Sequence, residues 1–382
     1  MRKSKRFSAL ALVAGLAITA AACGSDKKTA DTTAATTTAA AAATTAAGTT
    51  PTSLDGSKVT ACEVTDTGGV DDKGFNQNAH EGILDAEKEY GIKGDLLESK
   101  TASDYAPNLT AFVAKKCSII VSVGFLLAPD TATVAKANPD LQFAIVDSDA
   151  NDDNGTPKDA TDDKNLANVR ALLFSTEQPS YLAGYLAAGM SKSGKVATYG
   201  GVNIPSVTSF MSGYLEGVNK YNEVHGTKVT VLGWDGKDGS FTNDFQDASK
   251  GKNLTQGFAD EGADIVFPVA GPVGLGTSAY AKENPGKIRV IGVDVDQFVS
   301  NSQESAVYLT SVIKKIDAAV QDSIKNVIET GKVGADYQGT LKNGGLDLAP
   351  YHDQEKDVPT ALQGEITQLK QDIIDGKITV TP

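Results

Sequence analysis

Histidine and cysteine are scarce, with three of each among 382 residues. His80, His225 and His352 lie far apart and no Cys/His pair has the spacing of metal ligands, so a zinc site is not expected. No GxxxxGK[ST] run is present, which removes the usual nucleotide-phosphate loop, and no GxGxxG opens a helix after the first β-like run. Positive charge is in deficit as well. The formal net charge of −13 argues against nucleic acid or an anionic lipid surface as a partner of the folded body. Beyond the first 22 residues no stretch is long or apolar enough to cross a bilayer as a helix.

Those first residues are the exception to the charge pattern. Arg2, Lys3, Lys5 and Arg6 precede a short apolar run, Ala9 to Ala22, that ends at Cys23, the layout of a targeting segment. Ala20, Ala21 and Ala22 before Cys23 resemble a bacterial lipobox, in which the cysteine is diacylated after cleavage; Ala20 stands where leucine is usual. Residues 1–22 are therefore read as a lipoprotein signal peptide and Cys23 as the lipidation site, against an ordinary signal peptide with a spare cysteine. The chain is expected outside the cytoplasm, anchored to the outer face of a bacterial cell membrane through lipid alone. Cleavage removes four positive charges and no negative ones, taking the net charge from −13 to −17. From Thr29 to Thr52, 21 of 24 residues are Ala or Thr, too little apolar bulk to offset the entropy of ordering, so 23–56 reads as a disordered tether. Cys62 and Cys117 remain in the body, where a disulfide and two buried thiols both fit an oxidising compartment.

After the tether, β-branched runs alternate with amphipathic ones, the pattern of parallel βαβ units. Strands are expected at 59–65, 118–123 and 143–147, with helices near 76–90 and 130–138. A second series begins near 180 with a helix through Met190, and strands at 195–199, 227–234, 264–268 and 289–294 then alternate with helices at 207–221, 251–261 and 276–284. Tyr308 to Ser311 then leads into a long helix, Val312 to Thr330, and residues 151–165 read as an exposed loop. Two such series imply an α/β fold of two lobes. One comprises 57–171 plus about 300–330, the other 172–299 plus about 331–382. Several chain crossings between lobes give a hinge and a cleft that closes on a ligand.

The order and spacing of eight segments resemble one family across about residues 58–351. They are TDTGGVDDKGFNQ at 65–77, ANPDLQFAIVD at 137–147, LAGYLAA at 182–188, GGVNIP at 200–205, GLG at 274–276, VIGVDVDQ at 290–297, LTSVIK at 309–314 and GGLDLAPY at 344–351. This is the pattern of the basic membrane protein (PnrA-like) family, the purine-nucleoside-binding lipoproteins of ABC transporters. The resemblance implies a periplasmic-binding-protein type I fold with three hinge crossings. It also implies a chain that is not an enzyme, needs no cofactor, acts as a monomer and hands a nucleoside to permease and ATPase subunits.

A nucleoside offers two flat faces, a hydrogen-bonding base edge and a diol. By resemblance, Phe75 from one lobe and Phe210 from the other sandwich the base, a contact worth about 1–3 kcal/mol per base. Asp294, ending a strand, would accept the ribose hydroxyls, and Lys314 beside it would keep that buried carboxylate ionised. Asp147 resembles the acidic base-reader, while Asp66 and Asn76 flank the first binding loop; Asp and Asn at strand ends are also common turn formers. Gly271 and the GLG run let backbone approach the ligand and open a helix. Pro272 departs from the second glycine usual there and has no N–H to give. Trp234 and Phe298 are the other notable aromatics, Trp234 being read as packing.

Three rival readings stay in view. A nucleoside hydrolase motif is partly imitated by Gly69 to Asp72, but Thr65 and Thr67 stand where its metal carboxylates belong, so Asp71 and Asp72 read as loop formers and a helix cap. A ligand-binding surface sensor would share every feature above. A binding protein for a sugar or another small polar solute would share the lobes without needing two facing phenylalanines.

Overall fold

The computed structural model describes residues 54–151 and 164–382. The signal segment, Cys23, nearly all of the tether and most of the 151–165 loop lie outside the described residues. Runs rich in β-branched residues build most of the strands, and the helices that start at Phe75, Pro205 and Ile316 each close on a left-handed glycine, Gly91, Gly226 and Gly331. The chain begins with β1 (Thr60–Thr65), α1 (Phe75–Tyr90), β2 (Lys93–Leu97), α2 (Tyr105–Lys115), β3 (Ile119–Val123), α3 (Ala128–Ala137), β4 (Gln142–Val146) and β5 (Val169–Phe174). It continues with α4 (Glu177–Met190), β6 (Lys195–Gly200), α5 (Pro205–His225), β7 (Thr230–Leu232), α6 (Ala248–Asp260), β8 (Ile265–Val269), α7 (Leu275–Glu283) and β9 (Arg289–Asp294). The last elements are α8 (Gln297–Ser300), β10 (Tyr308–Lys314), α9 (Ile316–Thr330), β11 (Tyr337–Gly339), β12 (Leu346–Leu348) and α10 (Thr360–Ile374).

Two six-stranded sheets result, ordered β11-β5-β4-β3-β1-β2 and β12-β10-β9-β8-β6-β7. Their pairings are parallel except at β10 and β12, which run antiparallel. In each sheet the lobe's first strand lies between its second and third, so the strand order reverses there. The carboxyl ends of the strands at such a point are where open α/β sheets hold ligands. Both faces of each sheet are covered, as parallel sheets require. In β3, Ile119, Val121 and Val123 pack on the α1 and α9 side while Ile120 joins Cys62, Val64, Phe143 and Ile145 on the α2 and α3 side. In β8, Ile265, Phe267 and Val269 face α4 and α5, and Val266 faces α6 and α7. Cys62 and Cys117 are joined in a disulfide between β1 and the segment entering β3, with a Cα–Cα distance of 6.0 Å.

The chain passes between the sheets three times: from β5 to α4, from β10 to α9 and from β11 to β12. The expected lobe boundaries shift accordingly. Residues 308–314, expected to return to the first lobe, form β10 of the second sheet, paired in parallel with β9. All but Ile313 of that strand are buried, so it fills the sheet interior and the expected helix from Val312 starts only at Ile316. Likewise Tyr337–Gly339, expected in the second lobe, pairs with β5 of the first. Strand β7 is shorter than the expected 227–234 run, because Gly233 and Gly236 turn the chain away with positive φ. Strands β2 and β5 and helix α2 were not foreseen.

Candidate functional site

Where the carboxyl ends of the two sheets face each other they line a concave pocket, the usual place for a small-molecule site in open α/β sheets. Its walls come from segments that follow β1, β3, β4, β6, β7 and β8 and from the carboxyl ends of β9 and β10. Asp66, Phe75, Asn76, Asp147, Phe210, Gly271, Asp294 and Lys314 all line it.

The first wall is set by how α1 begins. The buried Asp72 carboxylate accepts from the backbone N–H groups of Gly74 (2.9 Å), Asn76 (2.8 Å) and Gln77 (3.1 Å). It thereby satisfies donors that a helix start leaves free and fixes Phe75 and Asn76 at the cavity. Asp71 points to solvent and pairs with Lys73. These two aspartates therefore do not converge as metal ligands, and no group able to hold a metal ion occurs among the described residues. Asp66 accepts from Asn76 Nδ2 at 2.8 Å and from Gly68 N at 3.2 Å. Burial pushes its carboxyl up to about 6 in spite of these bonds. The Oδ1 of Asn76 is buried and meets no hydrogen-bond donor of the protein.

Lys314 ends β10 at the hinge, and its Nζ lies 2.6 Å from Asp147 Oδ2, an ion pair that spans the two lobes. Three rings surround the same ammonium, with centroids at 4.8 Å (Phe75), 5.0 Å (Phe174) and 5.9 Å (Phe210). Such contacts add cation–π attraction to the ion pair. The expected pairing of Lys314 with Asp294 is therefore corrected: its direct partner is Asp147. Burial pushes Asp294 up to about 7, with Lys314 offsetting only part of that and Asp147, Asp72 and Asp66 adding to it. With its direct contact given to Asp147, Lys314 does not hold Asp294 fully ionised near neutral pH.

Asp147 and Asp294 occupy matching places, each at the end of its lobe's fourth strand, with φ of 67° and 70°. This left-handed backbone is one that aspartate tolerates better than most residues. Gly271 has φ of 52° and also requires that region, with no side chain to strain. Pro272 lines the cavity with its ring, so it contributes shape there and no donor. Gly276, expected to admit ligand, instead admits a helix: a Cβ there would lie 1.8 Å from the Ala248 carbonyl of α6. Trp234 packs edge-on against Phe241 at 6.1 Å, and Phe298 stacks on His352 at 4.0 Å.

Three aromatics went unforeseen, among them Phe125, which lines the cavity just after β3. Phe174 closes β5, a strand whose signal was missed, and Phe245 reaches the cavity from the segment between β7 and α6. The phenylalanines of the 241–247 segment, which has no periodicity, were the only signal for Phe245.

Two hinged α/β lobes that enclose a polar, aromatic-walled cavity at the carboxyl ends of both sheets make a solute-binding protein. Residues 59–381 match the family described as ABC transporter substrate-binding protein PnrA-like, and the chain belongs to that family. It is 32% identical over 338 residues to the ABC transporter nucleoside-binding protein BmpA of Lactococcus lactis subsp. cremoris, covering 84% of this chain and 88% of that one. It is also 32% identical to the CD4+ T-cell-stimulating antigen of Listeria monocytogenes, covering 84% and 87%. A solved ABC transporter solute-binding protein from Aeropyrum pernix superposes with a TM-score of 0.74 at 26% identity, covering 85% of this chain and 94% of that one. Members of this family are substrate-binding proteins and not enzymes; membership implies a small-molecule ligand with permease and ATPase partners. No helix among the described residues is long and apolar enough to cross a membrane.

Proposed function

We propose that the chain binds a nucleoside, a purine nucleoside favoured, between its lobes and presents it to the permease and ATPase subunits of an importer. One observation carries the reading: Phe75 from the first lobe and Phe210 from the second line one cavity and approach the same ammonium. Two phenyl plates from opposing lobes suit a flat heterocycle, each stacking contact contributing about 1–3 kcal/mol. Asp294 and Asp66 suit hydroxyl and amino donors. Asn76 Oδ1, buried without a donor, suits another. The buried Asp66, Asp72 and Asp294 and the partly buried Asp147 against one lysine disfavour a phosphorylated solute, since a further negative charge there is repelled. The printed name of the Lactococcus relative points the same way.

The anchor belongs to the same proposal: diacylated Cys23 and the Ala/Thr-rich tether hold a monomeric body at the outer face of the membrane. Calorimetry of the chain against nucleosides, free bases and sugars tests the ligand. Heat from nucleosides at micromolar concentration supports it, and heat from sugars alone removes it.

A further inference from the structure

The segment from Gly233 to Asp247, between β7 and α6, is an arm of the second lobe that is stiff at its base. Asp235 Oδ1 accepts from Lys237 N (2.9 Å) and Asp238 N (2.7 Å), closing its tip turn. Thr242 N and Gly200 O lie 3.0 Å apart, as do Gly200 N and Ser240 O, tying the arm to the end of β6. Asp244 pairs with Lys250 at 2.8 Å and also accepts from Gln246 N at 2.8 Å. Phe245 turns into the cavity while Gln246 leaves the lobe altogether. Its Nε2 donates to the Thr67 carbonyl of the first lobe and, at 3.3 Å, to the Lys100 carbonyl.

A second bond crosses the cleft. Ser300 Oγ, at the end of α8, donates at 2.8 Å to the Lys73 carbonyl, which a φ of 60° at Lys73 turns outward. Thr67 and Lys73 are the two ends of one loop, the stretch between Asp66 and Phe75 that shapes the first wall. Both bonds reach main-chain carbonyls, so they recognise the path of that loop and not its side chains. Both join the two lobes as they stand in this structure, and they hold the same loop that lines the cavity.

We infer that Gln246 and Ser300 are positioning residues that fasten the closed lobes over the loop 67–73, and so set how fast a bound solute leaves. They touch neither end of the hinge, so entry into the open cleft does not depend on them. The inference rests on solute binding in this cleft but not on the solute being a nucleoside.

The test uses the full chain and inosine as probe, with stopped-flow fluorescence of Trp234, the chain's one tryptophan, which sits on the same arm. Losing the Gln246 bonds raises the dissociation rate about tenfold in Gln246→Ala, and losing the single Ser300 bond raises it about fivefold in Ser300→Ala. The association rate stays within about twofold. Gln246→Glu, equal in shape but unable to donate to a carbonyl, behaves as the alanine variant does. Small-angle scattering without any solute gives the double variant a larger radius of gyration than the parent. A double variant with parental dissociation rate and parental scattering overturns the inference, and so does a slower association with dissociation unchanged. If inosine gives no heat with the parent chain, the nucleoside reading falls, and the scattering comparison still decides the fastening.

Discussion

Solute affinity should rise with pH between 5 and 7 and then level off, because Asp294 must give up a proton to accept a sugar's hydroxyls. Its carboxyl is pushed from 3.8 up to about 7 by burial and by the other cavity carboxylates. In the empty protein it is therefore mostly protonated at pH 6 and about half ionised at pH 7. Two hydroxyl donors favour the ionised form, so binding below pH 7 releases a proton. With one such group, the binding constant is proportional to its ionised fraction. That fraction grows about fifty-fold from pH 5 to pH 7, worth about 2.3 kcal/mol, and less than about twofold from pH 7 to pH 8.

Calorimetry in buffers of different ionisation enthalpy measures both quantities at once: the affinity, and the protons released per solute bound. The expected count approaches one at pH 5.5 and zero at pH 8. The same shift has the opposite sign for the stability of the empty protein. Between about pH 4 and pH 7 the folded state keeps a proton the unfolded chain has lost, so stability from this group is present at low pH and declines as pH rises through that window. An affinity that is flat from pH 5 to 8, or that improves on acidification, would refute the role given to Asp294.

Phe75→Ala and Phe210→Ala should each weaken nucleoside binding about tenfold to a hundredfold, read by calorimetry, and Phe210→Ala, at a ring buried in the second-lobe core, should also melt earlier. Asp294→Asn should lose most binding, whereas Asp72→Asn, which keeps an oxygen for the α1 N–H groups, should keep most of it and melt earlier; the reverse order counts against the site. Replacing Cys62 and Cys117 by serine opens a bridge across 55 residues of sequence and should cost about 3–4 kcal/mol in denaturant unfolding. Gly276→Ala should cost about 1–3 kcal/mol, because α7 must move away from α6 to admit the methyl group.

The alternation of β-branched and amphipathic runs was enough to read two α/β lobes, and the segments at 65–77 and 290–297 were enough to place Phe75, Asn76 and Asp294. Side-chain pairing was not legible in the same way. Lys314 and Asp147 are 167 residues apart in sequence, and only the packing of β10 beside the hinge brings their charges to 2.6 Å. Strand β10 itself was misplaced because its β-branched run flows into α9 with one intervening residue, so periodicity alone gave no boundary. β2 was missed for the opposite reason: Lys93, Gly94 and Asp95 are poor strand formers on an edge, and pairing with β1 decides their conformation. The arm bearing Phe245 and Gln246 has no period at all, and its shape comes from Asp235, Thr242 and Asp244 bonding back to main chain.

The three passages of the chain between the sheets run side by side, and that arrangement limits what a transporter can sense. A single linker would let the halves swivel in any direction, whereas three strands together resist torsion and sliding and leave bending about one axis. Every occupant able to draw the halves together therefore produces nearly the same outline. On the importer role proposed above, a membrane partner would therefore receive a two-valued signal, shut or ajar, with the choice among solutes made inside the cleft.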